Sequence, residues 1–136
     1  MKLLSSKYKE VNVSVALLLL RVTSGAAMVM NHGIKKLTGF NQIASKGFAD
    51  PFHIGVKLSL GLTLFAELFC ALLLIAGLLT RLAAIPLIIA MSVALFHAHG
   101  GDFFGQGELP GVYLAIFLTL LIIGPGKYSM DKAIGK

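Results

Sequence analysis

Apolar positions in this chain gather in blocks instead of alternating with polar ones. One run extends from Val11 to Met30, a second from Ile54 to Leu79, a third from Leu82 to about His99 and a fourth from Pro110 to Ile123. A block of about 20 apolar residues has the length of a bilayer-crossing helix. The second run is longer than that, which predicts a tilted helix or one that begins in the interface. The fourth is short but clearly punctuated, with Pro110 in its first turn and Gly124-Pro125 behind it. Pro86 falls near the first turn of the third run, where proline is tolerated best. Only Thr80-Arg81 separates the second and third runs, so those helices should be antiparallel neighbours. Because hydrocarbon admits only helices or closed barrels, the predicted fold is all-α: a bundle of four transmembrane helices forming one domain over residues 1–136.

Composition agrees. The chain is 57% hydrophobic and 13% charged, with a mean hydropathy of +0.86, far more apolar than a soluble domain. The N-terminal lysines followed by an apolar stretch resemble a secretory signal, but no Ala-x-Ala site follows and Asn31-His32-Gly33 is a poor cleavage sequence. The segment is read as a retained first helix. Cys70 is the single cysteine. It excludes an internal disulfide, a C-x-x-C redox pair or a thiolate metal cage built by this chain alone, and is read as a packing residue. The net charge of +6 comes from lysines at span ends, without the interleaved aromatics that single strands need. The expected partner is therefore the lipid bilayer and not nucleic acid.

Topology follows from the basic residues. Lys2, Lys7, Lys9, Arg81, Lys127, Lys132 and Lys136 fall on one side, and Lys35, Lys36, Lys46 and Lys57 on the other, seven against four. The positive-inside rule then places both termini in the cytoplasm; the expected location is the inner (cell) membrane of a bacterium, crossed several times.

Two ionisable residues interrupt the first two runs: Arg21 and Glu67, counted at nearly the same depth. Intramembrane charges are costly and mark functional sites by default, each needing a partner. The expectation is that these two pair inside the bundle. Arg21, Gly25, Met28 and His32 recur at helical spacing, so one stripe carries both the guanidinium and an imidazole. Glu67 has Thr63 one turn before it and Cys70 one turn after, a face more polar than its surroundings. Two readings stay open: a structural ion pair that fixes helix register, or a proton-accepting, ligand-anchoring carboxylate whose protonation Arg21 sets. His32, His53, His97 and His99 all fall at the predicted outer ends of spans, in one layer with Asp50, Asp102 and Glu108. The spacing of His97 and His99 is unlike H-E-x-x-H, so no zinc site is expected. The Gly100–Gly107 stretch (GGDFFGQG) is too glycine-rich for helix and does not form a phosphate loop.

The residues LLLRVTSGAAMVMNHGIKKL (ending at Leu37), Glu67, LLLIAGLLTRLAA (Leu72–Ala84), Phe96-His97 and GPGKYSMD (Gly124–Asp131) together resemble the DoxX family of small bacterial and archaeal membrane proteins. The resemblance covers all four spans. It implies a four-helix membrane protein, with some relatives linked to a quinone-reducing thiosulfate oxidoreductase and others to oxidative-stress and quinone or catechol responses. The positions that carry over are Arg21, His32, Lys36, Glu67, Arg81 and His97.

Three functions are compatible with these residues. The first is a quinone-interacting component of a membrane oxidoreductase system, with Glu67, Arg21, His32 and His97 as the reactive set and His99, Lys36 and Arg81 as ligand-binding groups. No cofactor would be covalently attached, and electrons would come from a redox partner subunit or a diffusing donor. The second is a non-catalytic subunit or scaffold for a partner complex. The third is a small proton-coupled transporter, which with four helices per chain would require a homo-oligomer. Whether the chain is an enzyme stays open at this point.

Overall fold

The computed structural model describes residues 2–136, which are helical and turn structure with no strand among the described residues. Four long helices, α1 (Glu10–Thr38), α3 (Val56–Ala76), α4 (Thr80–Ala98) and α5 (Glu108–Ile123), form a bundle. Two short helices, α2 (Phe40–Lys46) and α6 (Met130–Ala133), accompany them. The first three long helices, of 29, 21 and 19 residues, are each long and apolar enough to cross a membrane. α5 has 16 residues, about 24 Å at 1.5 Å per residue, and packs against α4 as the shorter fourth member.

α1 differs from its expected length in a way that matters later. It does not stop at Met30 but runs on through His32, Lys35 and Lys36 to Thr38. A π-helical turn at Val29–Gly33 lies within it, and Gly33 keeps helical angles (φ −61°, ψ −54°). Similar π turns occur at Phe65–Cys70 in α3 and Val93–Ala98 in α4.

The turn between α3 and α4 is Gly77–Leu79, and Thr80-Arg81 already belongs to α4. The Leu78 amide donates to the Leu73 carbonyl and the Gly77 amide to Leu74, the Schellman arrangement that closes a helix on a left-handed residue. Gly77 has φ +70° and Leu79 φ +50°. Pro86 accordingly falls in the second turn of α4, inside the helix and not in its first turn.

Close approach organises the core. A Cβ on Gly25 would lie 2.6 Å from Ile75 Cγ1 and 3.0 Å from the Ala71 carbonyl, and one on Gly33 would lie 2.9 Å from the Glu67 carbonyl. Without hydrophobic attraction between helices in lipid, such small-residue seams let backbones pack directly. Met28, Ala71 and Leu74 fill the α1–α3 seam, and Ala84, Leu87, Phe117 and Leu120 the α4–α5 side.

The chain after α5 latches one end of the bundle. Asp131 accepts hydrogen bonds from the amides of Leu79 (2.7 Å) and Thr80 (2.9 Å), and its own amide donates to the Gly77 carbonyl (2.9 Å). A carboxylate from the tail thus caps the first turn of α4 and holds Leu79 in its left-handed conformation. Burial pushes the Asp131 carboxyl up, but the hydrogen bonds from Thr80 and Leu79 outweigh it and hold the group below the ordinary carboxylate range. Because the folded value is the depressed one, the cap stabilises fully above the unfolded carboxylate value of about 3.9 and is lost as pH falls through the folded value. Asp131→Ala should therefore lower thermal stability in mild detergent by about 1 kcal/mol at neutral pH. The difference from the parent protein should shrink below about pH 4. A deficit independent of pH would contradict the cap.

Candidate functional site

Arg21 and Glu67 do not pair. Arg21 is 1% exposed and Glu67 3%, so both ions are interior as expected, but they lie at different levels of the bundle, Arg21 at the end formed by the Gly77–Leu79 turn and Glu67 midway along α3. The α1–α3 seam sets the register: Gly33 lies against Glu67, whereas Arg21 lies against Gly77. The twelve residues from 21 to 33 correspond to about 18 Å along α1. Counting depth from the start of each apolar run fails because α1 is displaced along α3, its first turns extending beyond the Gly77–Leu79 turn.

Arg21 Nη2 donates to the Tyr128 carbonyl at 2.7 Å, and Asp131 supplies the carboxylate charge that acts on it. The guanidinium occupies the space a Cβ on Gly77 would need. Arg21 is thus the pin that joins α1 to the α3–α4 turn and to the tail. Arg81, an expected ligand-binding residue, has a comparable task at the same end. Its Nη2 donates to the Ile122 and Ile123 carbonyls (3.3 and 3.2 Å), completing the open C-terminus of α5.

Glu67 pairs instead with Lys36, Nζ to Oε2 at 2.7 Å. This requires the longer α1. Lys36 stands nearly one turn past Gly33 on the same helix, and helical side chains lean toward the N-terminus, so its amine is directed back toward Glu67. The side chain of Lys36 is 17% exposed, leaving its remaining donors accessible. Glu67 lies midway along α3, inside the π turn, a widened turn that recurs at functional positions.

Two further polar groups join this pair. His32, half-buried in the π turn of α1, meets Tyr113 of α5 edge-on, with ring centroids 5.8 Å apart. Tyr113 in turn stacks on Phe117 at 5.8 Å, and His32 stands four residues before Lys36 on α1, which makes the two neighbours on the helix surface. Lys36, Glu67, His32 and Tyr113, from three helices, form one interior cluster of an amine, a carboxylate, an imidazole and a phenol. It combines proton donors, proton acceptors and a compensated charge pair.

His97 and His99 are exposed, as is His53. None of them makes a hydrogen bond, ion pair or ring contact with the cluster among the described residues. Of the four histidines expected in one layer, His32 alone joins the cluster. Asp50 is occupied locally, accepting from the Ile54 and Gly55 amides. No group of three or more His, Cys, Asp or Glu side chains is placed to hold a metal ion among the described residues. Tyr113 and Asp131 were not singled out from sequence. Tyr113 had a signal, the one phenol within the apolar run of α5; Asp131 sat in plain view in GPGKYSMD.

An all-helical bundle with three membrane-length apolar helices and an interior ion pair defines a helical integral membrane protein. Residues 16–100 match the DoxX family, and the chain belongs to it. It is 32% identical over 137 residues to an "Uncharacterized protein" of Haemophilus influenzae, covering 96% of this chain and 90% of that one. It is also 30% identical over 127 residues to an "Uncharacterized membrane protein" of Mycobacterium tuberculosis, covering 79% and 74%. No solved structure matches the chain significantly.

The pairing predicts a specific energetic pattern. Lys36→Met leaves the Glu67 carboxylate buried without its partner and should cost about 3–5 kcal/mol, while Lys36→Met combined with Glu67→Leu should recover most of that loss. Unfolding in detergent measures the cycle. Coupling between Arg21 and Glu67 in place of Lys36 and Glu67 would contradict the placement.

Proposed function

We propose that this DoxX-family protein is a quinone-interacting component of a membrane oxidoreductase system and that the Lys36–Glu67–His32–Tyr113 cluster is its headgroup site. The observation that carries the reading is the compensated interior ion pair with an imidazole and a phenol from two other positions beside it. Interior titratable groups gathered from several helices are what a proton-handling site requires.

The residues fit such a group. A bound quinone supplies two-electron, two-proton redox chemistry. Lys36 has donors free beyond the one spent on Glu67, and His32 and the Tyr113 hydroxyl can donate to carbonyl oxygens. Glu67 and His32 can hold protons and pass them on, with Lys36 keeping the carboxylate compensated between transfers. Between α3 and α4 runs an apolar groove of about 250 Å³, lined among others by Leu62, Thr63, Phe65, Pro86 and Ile89. Thr63 is one turn before Glu67, so an apolar tail in this groove would lie near the cluster. Electrons enter from a redox partner subunit or a diffusible reductant.

The sidedness read from the basic residues belongs to the same proposal: termini in the cytoplasm, cluster opening toward the other face of a bacterial inner membrane. A second reading, a non-catalytic subunit for a partner complex, draws on the exposed aromatics of the loop end, Phe52 at 65%, Phe96 at 63% and Phe104 at 97%.

Binding of a short-chain quinone to the purified protein separates these. Glu67→Gln and Lys36→Met should each weaken binding by about tenfold or more, the loss of one charge-assisted hydrogen bond, with helix content and elution volume preserved. Arg21→Met should lower stability and leave affinity in the folded fraction unchanged. Unaltered binding in both cluster variants would remove the quinone site, and a stoichiometric co-purifying protein without quinone binding would favour the second reading.

A further inference from the structure

The latched end of the bundle carries a second site, independent of the cluster. Between the first turns of α1 and the chain that follows α5 lies a cavity of about 380 Å³. Its wall is apolar on the bundle side, with Val11, Leu17 and Ile123, and basic at the rim, with Lys127, Lys132 and Lys136. Glu10 is the one acidic side chain in the lining among the described residues, so the lining side chains carry a net charge of +2.

The three lysines are not on free chain. The Lys127 amide donates to Ser14 Oγ of α1 (3.2 Å), the Lys132 amide to Ser129 Oγ (3.2 Å), and the Lys136 amide to the Asp131 carbonyl (2.8 Å). Gly126, at φ +81°, sits so close to Leu17 Cδ1 and Ser14 Cα that a Cβ would lie 3.2 and 3.3 Å from them. The tail is therefore held against α1, and the amines stand on backbone that is ordered before any ligand arrives. Preorganisation of this kind lowers the cost of binding.

Position identifies the ligand. The cavity borders the first turns of α1, Ile123 at the end of α5 and the tail that Asp131 ties to the α3–α4 turn, and the ends of spanning helices are where a chain meets the headgroup layer. A basic rim over an apolar wall at that level matches one molecule with a phosphate outside and an acyl chain inside. We infer that this cavity binds an anionic phospholipid of the leaflet at the termini end, its phosphate among Lys127, Lys132 and Lys136 and its first acyl methylenes along Val11, Leu17 and Ile123.

The test uses the full chain in mild detergent, titrated with short-chain phosphatidylglycerol and phosphatidylcholine and read by native mass spectrometry. Phosphatidylglycerol should bind more tightly. A lysine near an anionic lipid contributes about 1 kcal/mol, so each of K127Q, K132Q and K136Q should weaken it roughly fivefold. The corresponding changes at Lys46 and Lys57, at the opposite end, should have no effect. Glu10→Lys, which adds charge without removing any tail residue, should tighten binding and guards against a triple variant that loses its fold. Equal affinity for the two lipids, or a preference that survives the triple variant, would overturn the inference. Displacement of the lipid by micromolar inorganic phosphate would assign the rim to a free anion and overturn it too.

Discussion

Glu67 sits midway along a membrane helix with almost no exposed surface, and the rest of the interior is arranged so that this charge has a partner. An unpaired carboxylate there would be strongly destabilising. The partner, Lys36, is reachable only because α1 stays helical through the Val29–Gly33 π turn and because Gly33 lets its backbone touch that of α3 beside Glu67. Length of α1, small residues in the seam and the ion pair are one constraint seen three times. His32 and Tyr113 then fall beside the pair because the same turn presents His32 to α5.

The two interior charges divide the molecule's tasks. Arg21 serves architecture: it binds the Tyr128 carbonyl and fills the space over Gly77, so α1, the α3–α4 turn and the tail share one junction. Asp131 and Arg81 reinforce that junction by completing helix ends that would otherwise leave backbone groups unsatisfied. With one end locked in this way, the polar cluster can occupy the middle and opposite part of the bundle, where donors and acceptors remain available to a ligand.

Much of the architecture was legible in the chain. Four apolar blocks mark the four long helices, and Glu67 and His32 stand out as polar groups where hydrocarbon disfavours them. Membership of the DoxX family was readable from the arginine, the His-Gly-Ile-Lys-Lys run, the glutamate and the GPGKYSMD tail. The pairing was not. Hydropathy gives the extent of a run but not the offset between neighbouring helices, and an offset of about 18 Å separates Arg21 from Glu67. Hydropathy also ended the first helix at Met30, since Asn31, His32 and two lysines read as loop; in the structure they are helical because Gly33, packed against α3, keeps helical angles and the helix runs on to Gly39. The role of Asp131 was hidden for another reason. Its partners, Leu79 and Thr80, are about 50 residues away, and a cap supplied from the tail has no local pattern.

Isotope-edited infrared spectroscopy of the glutamate carboxyl, in membranes and with Glu67→Gln as the reference, addresses the central pairing directly. The account predicts an ionised carboxylate signal from Glu67 in the parent protein, conversion to the protonated form in Lys36→Met, and no change in Arg21→Met. An ionised signal that persists without Lys36 but is lost without Arg21 would contradict it.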